Sequence, residues 1–188
     1  MSERVKWTDR RFNFDFPVEI YPEMVERVRG TPARLEDRLK SIAPAVSTRR
    51  DSERWSIQEN AGHLLDLESL VQQRLDEYQA GAPELHAADM SNRKTYAANH
   101  NDVPLNSILS AFRDQRSRTV ARLEELDAEM FARKSFHPRL KVQMRLVDML
   151  FFQAEHDDFH LALISELIKL FELPSADTEP GAIATALN

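Results

Sequence analysis

The sequence predicts an all-α protein, a four-helix bundle, and three observations predict it. Four glycines and nine prolines in 188 residues leave long stretches rich in Leu, Glu, Arg, Ala and Gln, side chains that lose little rotamer freedom in a helix. Apolar residues recur at the 3.6-residue period in several segments of bundle length, without a sustained coiled-coil heptad or an internal repeat. A hydrophobic content of 42% at this length buries one core but does not suggest two full-sized domains.

Residues 1–30 read as an N-terminal arm that packs on the bundle through Trp7, Phe12, Phe14 and Phe16, with a short helix opening at Tyr21-Pro22-Glu23. Gly30 breaks the pattern, and Thr31-Pro32 reads as an N-cap followed by proline at the first helical position. The bundle is therefore placed at 31–173, with helix one at about 32 to 43 and Leu35, Leu39 and Ile42 on one face.

Helix two follows at about 56 to 80. Ser56 and Glu59 form a capping box there, in which each side chain satisfies the other's orphan backbone donor. It stops near Gly81 and Pro83. The stretch 82–103 is polar and aperiodic and reads as a long irregular connection. Pro104 starts helix three, which runs to about Leu126, and a short turn is expected over Asp127 to Arg133. His137-Pro138 should be extended, because proline clashes with a helical preceding residue; helix four then spans about Val142 to Phe171. Residues 174–188 read as a flexible tail.

Composition excludes several classes. No apolar run reaches the roughly 18 residues of a membrane span, and the N-terminus lacks the apolar core of a signal peptide, so a cytoplasmic protein is expected. With no cysteine there is no disulfide, no thiolate ligand and no cysteine nucleophile, and thiol chemistry would need an outside thiol. The net charge is −6 with Lys and Arg scattered, which argues against nucleic acid as a partner.

The chemistry sits with histidines. His156 and His160 are one turn apart on helix four and share a stripe with Met149, Leu163 and Leu167, so they point toward the core. His63 shares a stripe with Leu67 and Leu70 in helix two. Three imidazoles suit zinc, nickel, copper or iron and leave a coordination position for water or substrate. On spacing alone the alternative is three core histidines, each with one hydrogen bond. The chain has no His-Glu-x-x-His and no pair of Glu-x-x-His motifs, so a metal here would be mononuclear.

These residues carry a resemblance. Arg29-Gly30-Thr31-Pro32, the run from Trp55 through His63 and Asp66 to Glu68, Arg116 after Phe112, His137-Pro138, and Glu155-His156-Asp157-Asp158-Phe159-His160 follow the order of the DinB-like/YfiT superfamily, over about residues 28 to 170. The resemblance implies an up-down-down-up bundle with a long crossover between helices two and three, often dimeric. It also implies nickel or zinc on His63, His156 and His160. Characterised branches of that family include transferases and isomerases that use small cofactor thiols, and others described as metal-dependent hydrolases.

Around the triad, Asp66 and Glu59 are candidate catalytic carboxylates that would orient an imidazole or serve as general base. Asp157 and Glu155 point elsewhere on the helical period. Arg116 and Arg74 are candidate anion-binding forks for a cofactor or a substrate carboxylate. His137 sits where it would line the mouth, while His86 and His100 fall in polar loop sequence and are expected to be exposed. Trp55 reads as a hydrophobic staple. Phe151, Phe152 and Phe159 read as core or dimer contacts, and the apolar excess at the end of helix four, from Leu161 to Phe171, suggests a homodimer.

The function expected is a divalent-metal-dependent transferase that adds a low-molecular-weight thiol to a small electrophilic substrate. The alternatives are a hydrolase using metal-bound water and a non-catalytic bundle in which the ion ties helices two and four together.

Overall fold

A computed structural model describes residues 4–172. The helices are α1 (Tyr21–Leu39), α2 (Pro44–Ser47), α3 (Ile57–Ala80), α4 (Arg93–Ala97), α5 (Leu105–Glu124), α6 (Ala128–Ala132) and α7 (Leu146–Glu172). A hairpin of β1 (Lys134–His137) and β2 (Val142–Arg145) precedes α7. The tail expected over 174–188 lies outside the described residues.

Two apolar clusters fix the topology. One joins Met24, Val25 and Val28 at the start of α1 to Leu75 and Tyr78 at the end of α3, Val120 and Leu123 at the end of α5, and Val147 and Leu150 at the start of α7. The other joins Leu35 and Leu39 at the end of α1 to Ile57 and Leu64, Ile108 and Phe112, and Ile164 and Leu167. Thus α1 and α7 run one way and α3 and α5 the other: a four-helix bundle, up-down-down-up. Because α3 and α5 are parallel, a crossover from the bottom of one to the top of the next is obligatory. Residues 82–104 supply it.

That connection is less irregular than its sequence suggests, since it contains α4 and a 3₁₀ turn over His100–Asp102. At the top of α3 the capping box forms as expected: Ser56 Oγ accepts from Glu59 N at 3.0 Å, and Glu59 Oε2 accepts from Ser56 N at 2.9 Å. The helix ends on Gly81, whose φ of 67° is the left-handed value a C-terminal glycine allows.

Helix one begins at Tyr21, not at residue 32, and the arm is correspondingly shorter. Pro32 lies inside the helix and cannot donate to the Val28 carbonyl one turn back. That carbonyl accepts instead from Arg116 Nη1 at 2.8 Å. Thr31 caps nothing; its hydroxyl donates to Asp157 Oδ2 at 2.7 Å. A buried cluster on α3, α5 and α7 thus meets the demand that normally ends a helix at proline.

Helix four likewise starts later, at Leu146, because residues 134–145 form the hairpin. Lys134 pairs with Arg145 and His137 with Val142, and Lys141 closes the loop with φ of 55°. The turn expected before it is a short helix, α6, capped by Asp127 on Met130 N at 2.9 Å.

The arm covers Phe151 and Phe152 in the first turns of α7, while the apolar run expected in excess lies farther along the helix. Phe12 meets Phe152 at 5.0 Å between ring centroids and Phe16 meets Phe151 at 5.3 Å. Leu161, Ile164 and Leu167 are buried within the chain. Among the described residues, no helix is long and apolar enough to cross a membrane.

Candidate metal centre

The structure brings His63 from α3 together with His156 and His160 from α7. All three are buried, and one ring nitrogen from each lies within 4.8 Å of the others. Ring centroids are 5.4 Å apart for His63 and His156, 4.8 Å for His63 and His160, and 4.6 Å for the pair on α7.

Two rings are oriented from behind. His63 Nδ1 lies 3.0 Å from Thr95 Oγ1, and His160 Nδ1 lies 2.8 Å from Asn60 Oδ1. The Asn60 amide is turned to present oxygen because its nitrogen donates to Ser56 O at 2.8 Å. Nδ1 of His160 therefore carries the proton, and its Nε2 keeps a lone pair facing inward.

Electrostatics favour the same use. Burial lowers the His63 pKa to about 4, and burial, with the neighbouring imidazoles, drives His156 and His160 well below the ordinary histidine value. The imidazoles are neutral at pH 7, as metal ligands must be. His156 Nδ1 is buried, and hydrogen bonding among the described residues leaves it unsatisfied. Three neutral nitrogen donors fit a divalent transition ion and do not fit calcium or magnesium.

A layer of polar residues supports the triad, and much of it comes from the crossover. His100, expected to be exposed, is buried: its Nε2 is 2.9 Å from Asp66 Oδ2, and its carbonyl accepts from Gln58 Nε2 at 2.5 Å. Asp66 also accepts from Lys94 Nζ at its backbone oxygen, at 2.8 Å. Thr95, His100 and Asn60 are the supporting residues that sequence reasoning missed. The polar run Asn99-His100-Asn101-Asp102, inserted where a simple linker would suffice, is the signal that could have found one of them.

The triad opens into a cavity of about 420 Å³. Trp7, Trp55, Met149, Phe152, Phe159 and Leu163 supply its apolar wall. Trp55 is therefore more than a staple, with its ring 4.8 Å from His63 and stacked at 6.3 Å on His160. Trp7 sits edge-on to His156 at 4.9 Å.

The other candidates separate. Asp66 lines a smaller adjoining cavity together with His63, and its Oδ2 is turned to His100 Nε2 at 2.9 Å. Glu59 is spent on the capping box and on Arg50, whose Nε donates to it at 2.8 Å, and it does not line the cavity. Arg116 cannot be an anion fork. It is 1% exposed and donates to Glu68 Oε1 at 2.9 Å and Asp157 Oδ2 at 2.6 Å, so both its charge and its donors are consumed inside the bundle. Arg74 does line the cavity, along with His137. His86 is exposed, as expected.

Comparison with known proteins supports the fold. YfiT from Bacillus subtilis, described as "a probable metal-dependent hydrolase with an unusual four-helix bundle topology", superposes with a TM-score of 0.72 at 18% identity, over 88% of this chain and 95% of that one. A mycothiol-dependent maleylpyruvate isomerase gives 0.62 at 11% identity over 79% of this chain and 60% of its own. A protein from Streptococcus pneumoniae gives 0.61 at 11%, over 85% and 93%. No curated protein matches the chain. At such identities the likenesses establish a shared fold and no more. The family model is more specific: it matches residues 27–164, a span that holds all three histidines, and the chain belongs to the DinB superfamily.

Proposed function

We propose that the protein is a metal-dependent transferase that adds a low-molecular-weight thiol to a small electrophile, with nickel or zinc on His63, His156 and His160. When bound, the ion supplies the charge that keeps a coordinated thiol deprotonated near neutral pH. The chain's own residues do the rest. Asn60 and Thr95 hold two of the imidazoles in register, Asp66 and His100 brace α3 beside the site, and Trp7, Trp55 and Phe159 keep water from the reacting pair.

One observation carries this reading. Among the described residues, Asp89 is the sole carboxylate lining the triad's cavity, exposed and with its pKa held to about 2 by Ser91 and Arg93, while Asp66 borders an adjoining cavity with His63 and is engaged by His100 Nε2 at 2.9 Å. A carboxylate held as low as Asp89 is a poor general base. A thiol that releases its proton to solvent on binding the ion would need none, whereas hydrolysis of an ester or amide gains from an acid–base residue beside the metal to protonate the leaving group. The open cavity also argues against a purely structural ion, whose site should be closed. The structural neighbours described as "a probable metal-dependent hydrolase" and a mycothiol-dependent maleylpyruvate isomerase are consistent with small-molecule chemistry at this fold.

The test is to load the protein with nickel or zinc, titrate small thiols by calorimetry, and assay thiol consumption with 1-chloro-2,4-dinitrobenzene. Binding and turnover that both require metal support the transferase. Hydrolysis of an ester without any thiol, together with no thiol binding, replaces it with the hydrolase.

For assembly, α7 leaves Ile168, Leu170 and Phe171 partly or wholly uncovered, with Leu170 46% exposed. A homodimer through this end would bury a small apolar patch, so we expect it to be weak and concentration-dependent in light scattering.

A further inference from the structure

Three buried side-chain nitrogens lack a hydrogen-bond partner among the described residues: His156 Nδ1, His137 Nε2 and Arg139 Nη2. All three residues line the same cavity. The first belongs to the triad; the other two do not, and thiol activation at the metal gives them nothing to do.

Their donor character is fixed by what surrounds them. His137 Nδ1 accepts from Leu140 N at 3.2 Å, which places the ring proton on Nε2 and makes that atom a donor. Burial, with the charges of Arg74 and Arg139, holds the ring neutral, its pKa lowered to about 4. Arg139 lies over the Phe152 ring at 5.3 Å and the Trp7 ring at 5.8 Å, an apolar seat that fixes the guanidinium and leaves Nη2 unmatched. Arg74 is 4% exposed and spends Nε and Nη2 on the His86 carbonyl, at 3.0 and 2.8 Å. Its Nη1 meets only the Met149 sulfur at 3.7 Å, a weak acceptor.

The charge balance is the second observation. Arg116, equally buried, is matched by Glu68 and Asp157. Neither Arg74 nor Arg139 forms a salt bridge among the described residues, and burial lowers the pKa of both, Arg74 to about 10. Desolvated cations without counter-charge destabilise a fold unless something supplies the anion. Here the buried Arg74, the half-buried Arg139 and a neutral N–H donor border one cavity, and the Trp7 ring that lies under Arg139 also meets His156 edge-on at 4.9 Å. The subsite and the triad are thus neighbours.

We propose that Arg74, His137 and Arg139 form an anion subsite that holds a carboxylate of the substrate, so that its reacting centre is presented to the three imidazoles. The substrate class is a small carboxylic acid with an apolar body, the acid on the guanidiniums and the body against Trp7, Phe152 and Phe159. The assignment deepens the transferase reading and rests on it for the word substrate; the subsite itself rests on the unmatched donors.

The test uses 4-fluorophenylacetate and its uncharged analogue 4-fluorophenylacetamide, followed by ¹⁹F NMR on the full chain, metal-loaded and chelated. The acid should bind at least tenfold tighter than the amide in both forms. Arg139→Gln and, separately, His137→Phe should each weaken the acid at least fivefold and leave the amide unchanged. Acid binding that vanishes on chelation and ignores Arg139→Gln means that the carboxylate sits on the metal, and the subsite is overturned. Equal binding of acid and amide overturns it too. If the acid binds through Arg139 but no thiol is ever consumed, the subsite stands and the transferase falls.

Discussion

The imidazole of His100 lies directly against the α-carbon of Gly62: a Cβ built on that glycine would fall 2.2 Å from His100 Cγ. Glycine in mid-helix ordinarily costs about 0.5 to 1 kcal/mol relative to alanine, so its presence in α3, one residue before a triad histidine, needs this compensation. Without a side chain at 62, the ring reaches Asp66 and ties the crossover to the helix that carries His63.

Gly62→Ala should therefore destabilise the protein in spite of alanine's better helix propensity. The methyl group must push the His100 ring away and break its bond to Asp66, which we expect to cost a net of about 1 to 3 kcal/mol. Urea unfolding measures it. A rise in midpoint of the size helix propensity alone gives would show that His100 is not seated there.

A buried charge cluster replaces the missing backbone bond at Pro32. Arg116→Met would orphan the Val28 carbonyl and leave Glu68 and Asp157 facing each other without a cation. Removing one partner of a buried ion cluster costs about 3 to 5 kcal/mol. Arg116→Met combined with Glu68→Gln and Asp157→Asn should recover part of that loss, since no unpaired charge then stays buried. Denaturant midpoints of the single and triple variants decide; equal destabilisation would mean that charge is not what the cluster provides.

How much of the molecule is legible in the sequence follows the range of the interactions. His63, His156 and His160 are visible because helical period alone puts them on inward stripes, and Ser56, Glu59 and Gly81 because capping is settled within four residues. Pro32 misleads because its compensation comes from Arg116, 84 positions along the chain from it (116 − 32). The hairpin is hidden because its loop closes on Lys141 in a left-handed conformation, where the sequence offers no glycine or asparagine. His100 looks exposed because its neighbours are polar; its burial depends on the absence of a side chain at Gly62.

The residues behind the ligands should tune the ion without touching it. Asn60→Ala removes the acceptor at His160 Nδ1, and Thr95→Val the partner of His63 Nδ1. Losses of about 10- to 100-fold in metal affinity are typical for such positions. His160→Ala should lose more than either. The chain's two tryptophans both flank the triad, so nickel titration can be followed by fluorescence quenching. Unchanged affinity in Asn60→Ala would mean that His160 is not a ligand through the nitrogen opposite that bond.

The same burial that readies the imidazoles for metal makes the metal-free protein sensitive to acid. The folded-state pKa of His63 is lowered to about 4, by burial first, against 6.5 ordinarily, and His156 and His160 lie well below the ordinary value too. For bases lowered in this way the unfolded chain binds more protons than the folded one, so stability rises with pH across the interval and is fully present above about 6.5. A tenfold difference in proton affinity between the two states is worth about 1.4 kcal/mol, so His63 alone should remove about 3 kcal/mol between pH 6.5 and 4. His156 and His160 steepen the loss, and unfolding at pH 5 should take up more than about two protons. Metal binds the neutral rings, so the loaded protein should hold its stability to lower pH than the chelated one. Urea midpoints of both forms from about pH 7.5 to 4.5 measure the difference; a chelated protein whose stability is flat over that range would mean that the three histidines are hydrated and not held neutral in the bundle.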